Sequence, residues 1–309
     1  MKPLDGLAAI VTGGGGGLGR CHARHLASLG AAVLVNDTGR TDDGTWLADQ
    51  VADEIAAEGY PAASHHGDIS DWSDARDLIA TCVERFGRLD VLVNNAGIVR
   101  DRTMARMSER EWDDVVRVNL KGHAAPSAHA MAYWRQRAKE NGEPVRASIV
   151  HTSSIGGLMP NFGQGNYTAA KLGIVALSSV LALEGSKIGV RSNAIAPSAR
   201  TELAVAAMPA AVHVNQSSST DGFDFWAPEN VSPVVGWLAT PSCRATGQVF
   251  YVAGNTVQLF APPSVLRRFT ASGRWTVADL ERRVGADLPR WPTAIEFLES
   301  VDEAAMADG

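Results

Sequence analysis

Leu7-Ala8-Ala9-Ile10-Val11-Thr12, then Gly13-Gly14-Gly15-Gly16-Gly17-Leu18-Gly19, then a helix-length segment from Arg20 to Leu29: this stretch decides the fold. A short apolar run that ends in glycine has the length and flanks of a buried strand. The five consecutive glycines admit backbone dihedrals closed to other residues and let the main chain approach a bound group closely. A helix that starts just beyond them offers unpaired N–H groups and the positive end of its dipole. Strand, glycine turn and helix in this order predict a phosphate-cradling loop. Its candidate residues are Thr12, Gly13, Gly17, Leu18 and Gly19. The glycines alone leave the register open between GxGxxG from Gly14 and TGxxxGxG from Thr12. They also leave open a plain tight turn or a different nucleotide-like cofactor such as S-adenosylmethionine.

The same alternation continues outward. Ala32 to Asp37, Leu89 to Asn94, Ala147 to Thr152, Val190 to Ala196 and Gln248 to Val252 read as further buried strands. Asp49 to Glu58, Ser73 to Phe86, Glu109 to Lys139 and Asn166 to Ser186 read as helices between them. Strands separated by helices imply right-handed βαβ units, so the predicted fold is α/β with a doubly wound, mostly parallel sheet. A length of 309 residues allows two domains. The motifs instead place one dinucleotide-binding domain over residues 1–260, with a lid at 198–227, and a C-terminal helical extension over 261–309. The lid holds Met208, Pro209, a polar run from Gln216 to Asp221, then Phe223, Phe225 and Trp226. Helices are expected in the extension near Thr276 to Val284 and Thr293 to Met306.

Composition excludes several classes. Thirty glycines exceed the usual share, and five of them form the loop. A net charge of -6 and a pI near 5.8 speak against a general nucleic-acid binder. Cys21, Cys82 and Cys243 lie too far apart for a disulfide framework or a CxxC zinc site, which suits a reducing cytoplasm. No signal-peptide pattern opens the chain, and no run of about 18 apolar residues predicts stable membrane insertion. His22, His25, His65, His66 and His151 lack carboxylate or thiol partners at metal-ligand spacing, so no metal is expected. Cys21 lies one turn into the helix after the loop, where a thiol pKa can fall, although burial is the commoner fate. Leu172 to Leu183 is apolar on more than one face, as a deep core helix or a subunit interface would be.

Three further motifs carry chemistry. Asp37, eighteen residues beyond Gly19, stands where a strand-end carboxylate accepts hydrogen bonds from an adenosine ribose and repels a 2′-phosphate. NAD is therefore expected rather than NADP, with Arg20 and Arg40 as the nearby cations that could reverse the preference. Tyr167 and Lys171, at i and i+4, share a helix face, and the ammonium should lower the phenol pKa towards use as a general acid/base. Ser154, thirteen residues before the tyrosine at a strand end, can hydrogen-bond a reacting oxygen. Asn94-Asn95-Ala96-Gly97 closes another strand.

Together these residues resemble the short-chain dehydrogenase/reductase family over roughly residues 5 to 256, a family of Rossmann folds. The resemblance implies that Tyr167 is the catalytic acid/base and that Lys171 lowers its pKa while holding the nicotinamide ribose. It implies that Ser154 positions the substrate oxygen and that Asn119 holds a water of the proton relay. It places Asp68 and Ile69 at the adenine, and Asn95, Ala96, Gly97 and Pro197 beside the cofactor. Family members are commonly homodimers or homotetramers. Val35-Asn36-Asp37, Asn95 to Arg102, Asn161 to Tyr167 and Ala194 to Pro197 are similar, more narrowly, to the dehydrogenase domain of peroxisomal multifunctional enzyme type 2. That likeness implies NAD-dependent oxidation of a 3-hydroxyacyl-CoA or a hydroxysteroid, and so a role in lipid or steroid metabolism. The hydratase and sterol-carrier domains are absent, and Ser198-Ala199-Arg200-Thr201 departs from the family's proline-glycine-x-x-x-threonine pattern. The alternatives are a reductase for 3-oxoacyl-carrier-protein or a small ketone and, outside enzymes, a non-catalytic NAD-sensing scaffold. Arg267, Arg268 and Arg274 could meet CoA phosphates, or simply face solvent.

Overall fold

β1 (Ala8–Thr12) is buried along its whole length and pairs in parallel with β2 (Ala32–Asn36) on one side and β4 (Val91–Asn94) on the other. The computed structural model describes residues 2–201, 203, 205, 223–285 and 288–307. Within them β3 (Ala62–His65), β5 (Ala147–Thr152), β6 (Val190–Pro197), β7 (Val249–Ala253) and β8 (Thr256–Leu259) complete one sheet in the order β3-β2-β1-β4-β5-β6-β7-β8. Only the β7–β8 pair is antiparallel. The strand order reverses between β1 and β4, and a doubly wound sheet opens a ligand crevice at the carboxyl ends of the strands there.

Both faces of the sheet are covered, which is why the strands are continuous apolar runs instead of alternating ones. On one face Ala9, Val11, Val33 and Val35 pack with Leu26 of α1 (Gly17–Ser28), Ile55 of α2 (Leu47–Ala57) and Val235 of α8 (Ser232–Ala239). On the other, Ile10, Leu34, Leu92 and Ile149 pack with Leu78 of α3 (Trp72–Phe86), Trp134 of α5 (Gly122–Asn141) and Leu181 of α7 (Gly165–Gly185). Each fully buried Leu or Ile contributes about 1.5–3 kcal/mol.

β3 and β8 were not expected as strands. Ala62-Ala63-Ser64-His65 has no β-branched residue, and β8 is a short edge strand entered through a turn at Gly254, where φ is +52°. The helix expected from Glu109 to Lys139 divides into α4 (Glu109–Val115), a π-helical stretch (Val116–Lys121) and α5. Ser108 and Glu111 form a capping box at its start. α7 and the turn after it also correct the expectation about bilayer-length apolar runs: by length and composition Gly165–Ile188 is long and apolar enough to cross a membrane, with a mean hydropathy of 1.4 over an 18-residue window. In this fold it lies against β6, α6 (Ile155–Leu158) and the π-helical stretch.

The C-terminal extension forms α9 (Val277–Arg283) and α10 (Ala294–Ala307). α10 returns to the mouth of the crevice, where the Ala294 N–H donates to Pro160 O at 3.0 Å. Ala294 and Val301 join Ile155, Trp226, Tyr251 and Ala253 in a separate apolar cluster, with Phe297 edge-on to Tyr251. Of the expected lid, Met208, Pro209 and Gln216 to Asp221 lie outside the described residues.

Candidate active site

The glycine loop is shaped by what stands against it. Gly13 has φ +62°, and a Cβ there would lie 2.7 Å from Ala96 Cα, so only glycine lets the end of β1 touch the end of β4. Thr12 Oγ1 fastens the two ends by accepting from the Asn95 and Ala96 N–H groups at 3.0 and 3.2 Å. Asn95 Nδ2 returns the tie to the Thr12 and Gly13 carbonyls at 3.1 and 3.2 Å. Asp37 closes the loop from β2: its carboxylate accepts from Gly15 N at 2.9 Å and Gly39 N at 2.7 Å. The result is a cradle lined by Gly13, Gly17, Leu18 and Asp37, continuous with Asn95, Ala96 and Gly97, in a cleft of about 720 Å³.

Tyr167, Lys171 and Ser154 meet at the other end of that cleft. Asn166 sets the start of α7. Fully buried, it accepts from Tyr167 N at 2.7 Å through Oδ1 and donates through Nδ2 to the Arg100 and Glu111 carbonyls, both at 3.0 Å. Ser154 caps α6 and hydrogen-bonds the Tyr167 phenol. Lys171, one turn along, donates to Thr152 O at 2.8 Å, and its Nζ stands 5.7 Å from the centre of the Tyr167 ring.

The electrostatics correct one expectation. Burial raises the Tyr167 pKa above its ordinary value, the Ser154 hydrogen bond opposes that, and Asp101 adds to it. Lys171 does not reverse the direction, because its own burial brings its pKa down to about 7. Desolvation disfavours both charged forms at once. Cys21 follows the commoner fate: burial and Glu229 push its thiol up to about 11, against the opposing charges of Arg20 and Arg24.

Asn119 sits in the π-helical stretch. Its Oδ1 accepts from Ile98 N at 3.2 Å, and its Nδ2 donates to the Ile98 and Val115 carbonyls at 2.8 and 3.0 Å. A Cβ on Gly97 would stand 2.5 Å from Asn119 Oδ1 and 3.3 Å from Lys171 Nζ, so the amide and the ammonium flank the same glycine. Asp68 lies beside the site and outside the cleft lining; its carboxylate accepts from Ser70 and from Arg117 Nη1 at 2.8 Å. Ile69 packs against Gly122. Pro197 lines the cleft, whereas Gly19 is wedged against Gly13 and the Asn95 amide. Among the described residues no group of three His, Cys, Asp or Glu could hold a metal ion. Arg268 and Arg274 are exposed in the extension.

Other residues stand beside the site, of which the sequence reading places only Trp226 there, in the expected lid. His123 and His151, both buried, stack with their Nδ1 atoms 3.3 Å apart, and burial with Lys171 nearby holds both far below the ordinary imidazole pKa. Gln164 lines the cleft and donates to Asp101 at 2.8 Å. Trp226, Ala294 and Leu298 form an apolar wall of the same cleft, packed with Ile155, the residue after Ser154.

The family model described as short chain dehydrogenase matches residues 7–209. The chain belongs to that family. It is therefore an oxidoreductase acting on CH–OH groups with a nicotinamide cofactor. It is 42% identical to the hydroxyacyl-CoA dehydrogenase ChsB1 of Mycobacterium tuberculosis, over 90% of this chain and 87% of that one. It is 38% identical to peroxisomal multifunctional enzyme type 2 of Mus musculus over 82% of its own length, which spans only 32% of that enzyme. Among solved structures, a short chain dehydrogenase from Mycobacterium avium is 44% identical with a TM-score of 0.83, covering 94% of this chain and 98% of the other. An actinorhodin polyketide ketoreductase solved with NADPH is 28% identical, TM-score 0.68, covering 80% and 96%.

Proposed function

We propose that this short-chain dehydrogenase oxidises the 3-hydroxyl of an acyl-CoA thioester with NAD. The observation that carries the reading is the meeting of Ser154, Tyr167 and Lys171 in one cleft that Trp226, Ala294 and Leu298 also line with apolar side chains. The relatives named hydroxyacyl-CoA dehydrogenase and peroxisomal multifunctional enzyme support the acyl-CoA class. The apolar wall suits an acyl chain or a steroid nucleus better than a small ketone.

In oxidation the Tyr167 phenolate takes the hydroxyl proton, and the Ser154 hydroxyl holds the substrate oxygen through the change in charge. Lys171, when protonated, would place positive charge at the phenol and would hold the ribose of the bound cofactor. Asn119, pinned to Ile98 and Val115, keeps the floor beneath Lys171 in shape. The glycine loop, Asp37, Asn95 to Gly97, Lys171 and Pro197 would hold the nicotinamide cofactor, which when bound accepts the hydride. Two features support NAD. Asp37 sets a carboxylate at the end of β2, and Arg20 is committed to Glu54 through contacts of 3.0, 2.9 and 2.8 Å. Leu172, Val180 and Leu183 stay exposed on α7, which supports a homodimer or homotetramer built on that face.

NAD reduction measured across 3-hydroxyacyl-CoAs of both configurations, 17β-hydroxysteroids and small secondary alcohols tests the reading. The highest kcat/KM is expected for a medium- or long-chain 3-hydroxyacyl-CoA, with the rate lost in Tyr167→Phe while cofactor binding is kept. Activity confined to small alcohols would overturn the acyl-CoA assignment, and turnover retained by the phenylalanine variant would overturn the chemistry.

A further inference from the structure

Between β2 and α2 the chain makes a small hairpin at the rim of the cleft. Thr41 N donates to Thr45 O and Gly44 N to Thr41 O, both at 2.9 Å, while Leu47 N donates to Gly39 O at 3.0 Å. Arg40 and Trp46 form an antiparallel bridge across it. Gly44 makes the turn possible at φ +88°. Asp37, Thr38 and Leu47 line the cleft; Arg40 and Trp46 do not.

The Arg40 side chain lies flat on the indole, its guanidinium carbon 3.4 Å from the Trp46 ring centre, and its Nη1 donates to Gly44 O at 3.0 Å. His66 stacks on Trp46 as well, with centres 4.4 Å apart and planes within 6°. Two groups this close to one ring centre cannot share a face, so Trp46 is held between them. His66 is fixed in turn by Asp49 Oδ1 at 2.7 Å from its Nε2. Arg40 thus has a cation–π partner and a carbonyl acceptor within the hairpin, neither of them Asp37.

We propose that Trp46 is a cofactor-specificity residue: it stores the Arg40 guanidinium on the hairpin, so that Asp37 faces the adenosine ribose with no cation to offset it. The inference rests on the NAD reading and names the device that sharpens it. A 2′-phosphate at that position would meet the Asp37 carboxylate while Arg40, three residues on, is engaged elsewhere. Release of Arg40 would supply the charge-assisted partner a 2′-phosphate requires.

Binding of NADH and of NADPH, followed by nicotinamide fluorescence, tests this without turnover. The wild type is expected to bind NADH more tightly. Trp46→Leu keeps apolar bulk beside His66 and should strengthen NADPH binding about fivefold with little change for NADH. Adding Arg40→Gln to that variant should abolish the gain. Arg40→Gln alone, an exposed change that does not threaten folding, should leave NADPH binding within about twofold, because the stored cation does not contribute. An unchanged NADPH affinity in Trp46→Leu, a gain that survives Arg40→Gln, or a large loss in Arg40→Gln alone would each overturn the storage device. A wild-type preference for NADPH is a separate result and would overturn the NAD reading itself.

Discussion

The two walls of the cleft that the proposed reading gives to cofactor and to substrate are made of different materials. The first is built on backbone: glycine turns at the ends of β1 and β4, closed by Thr12, Asn95 and Asp37, where a Cβ added at Gly13 or Gly19 collides with main chain and one at Gly97 with the fixed Asn119 and Lys171 side chains. The second is side chain: Ile155, Trp226, Ala294 and Leu298, from three separate segments, in contact with no fixed pattern of residue types. A backbone wall tolerates no substitution where it touches, whereas a side-chain wall can be recut one residue at a time. The comparison predicts sharp, all-substrate losses on one side and graded, substrate-dependent effects on the other.

The largest expected effect is at Gly97. Its φ lies outside the left-handed region, so alanine brings no backbone strain, only a methyl group 2.5 Å from Asn119 Oδ1 and 3.3 Å from Lys171 Nζ. Asn119 cannot yield without losing bonds to Ile98 and Val115. Gly97→Ala should lower kcat on the order of 100-fold for every substrate alike, since displacing a catalytic group by about 1 Å costs that much. A loss that varied with acyl length would break the distinction between the walls.

Lys171 stands where the walls meet, and its burial has a measurable cost. The unfolded chain keeps the lysine proton up to about 10.5, while the folded chain releases it near 7. Between those values the unfolded state binds more protons, so this group's contribution to stability rises with pH; below 7 the folded state carries the full cost of a buried ammonium. Lys171→Met removes that dependence. Unfolding in urea at pH 7 and pH 9.5 should show the variant's stability relative to wild type falling by up to roughly 3 kcal/mol as pH rises. A constant difference would mean that Lys171 stays charged when folded.

The same contrast explains what the sequence made legible. Thr12 to Gly19, Asp37 and Asn95 to Gly97 were readable because backbone geometry restricts the residue types allowed there. Tyr167 and Lys171 were readable because helix spacing alone puts them on one face. The direction of the tyrosine's pKa was not, since it depends on how deeply α7 is buried, which spacing does not encode. β3 and β8 escaped because Ala62 to His65 lacks strand-forming side chains and Thr256 to Leu259 is an edge. His123 and His151 are 28 residues apart in sequence, and only the packing of α5 on β5 brings their rings together. α10 could be read as a helix, but nothing in Ala294 to Leu298 says that it turns back over Ser154.

The smallest expected effect belongs to that helix, and it is the most discriminating. Leu298 lines the cleft from α10, which is anchored by Ala294 N to Pro160 O and by Phe297 against Tyr251. Leu298→Ala leaves those anchors intact and removes apolar surface from the wall alone. A buried methylene is worth about 0.8 kcal/mol, roughly fourfold in an equilibrium constant. KM for a long-chain 3-hydroxyacyl-CoA should therefore rise severalfold, with kcat and the values for a four-carbon substrate nearly unchanged, because the proposed chemistry is at Ser154 and Tyr167. If the short substrate suffered equally, α10 would be bracing the catalytic floor, and the two walls would form one structure.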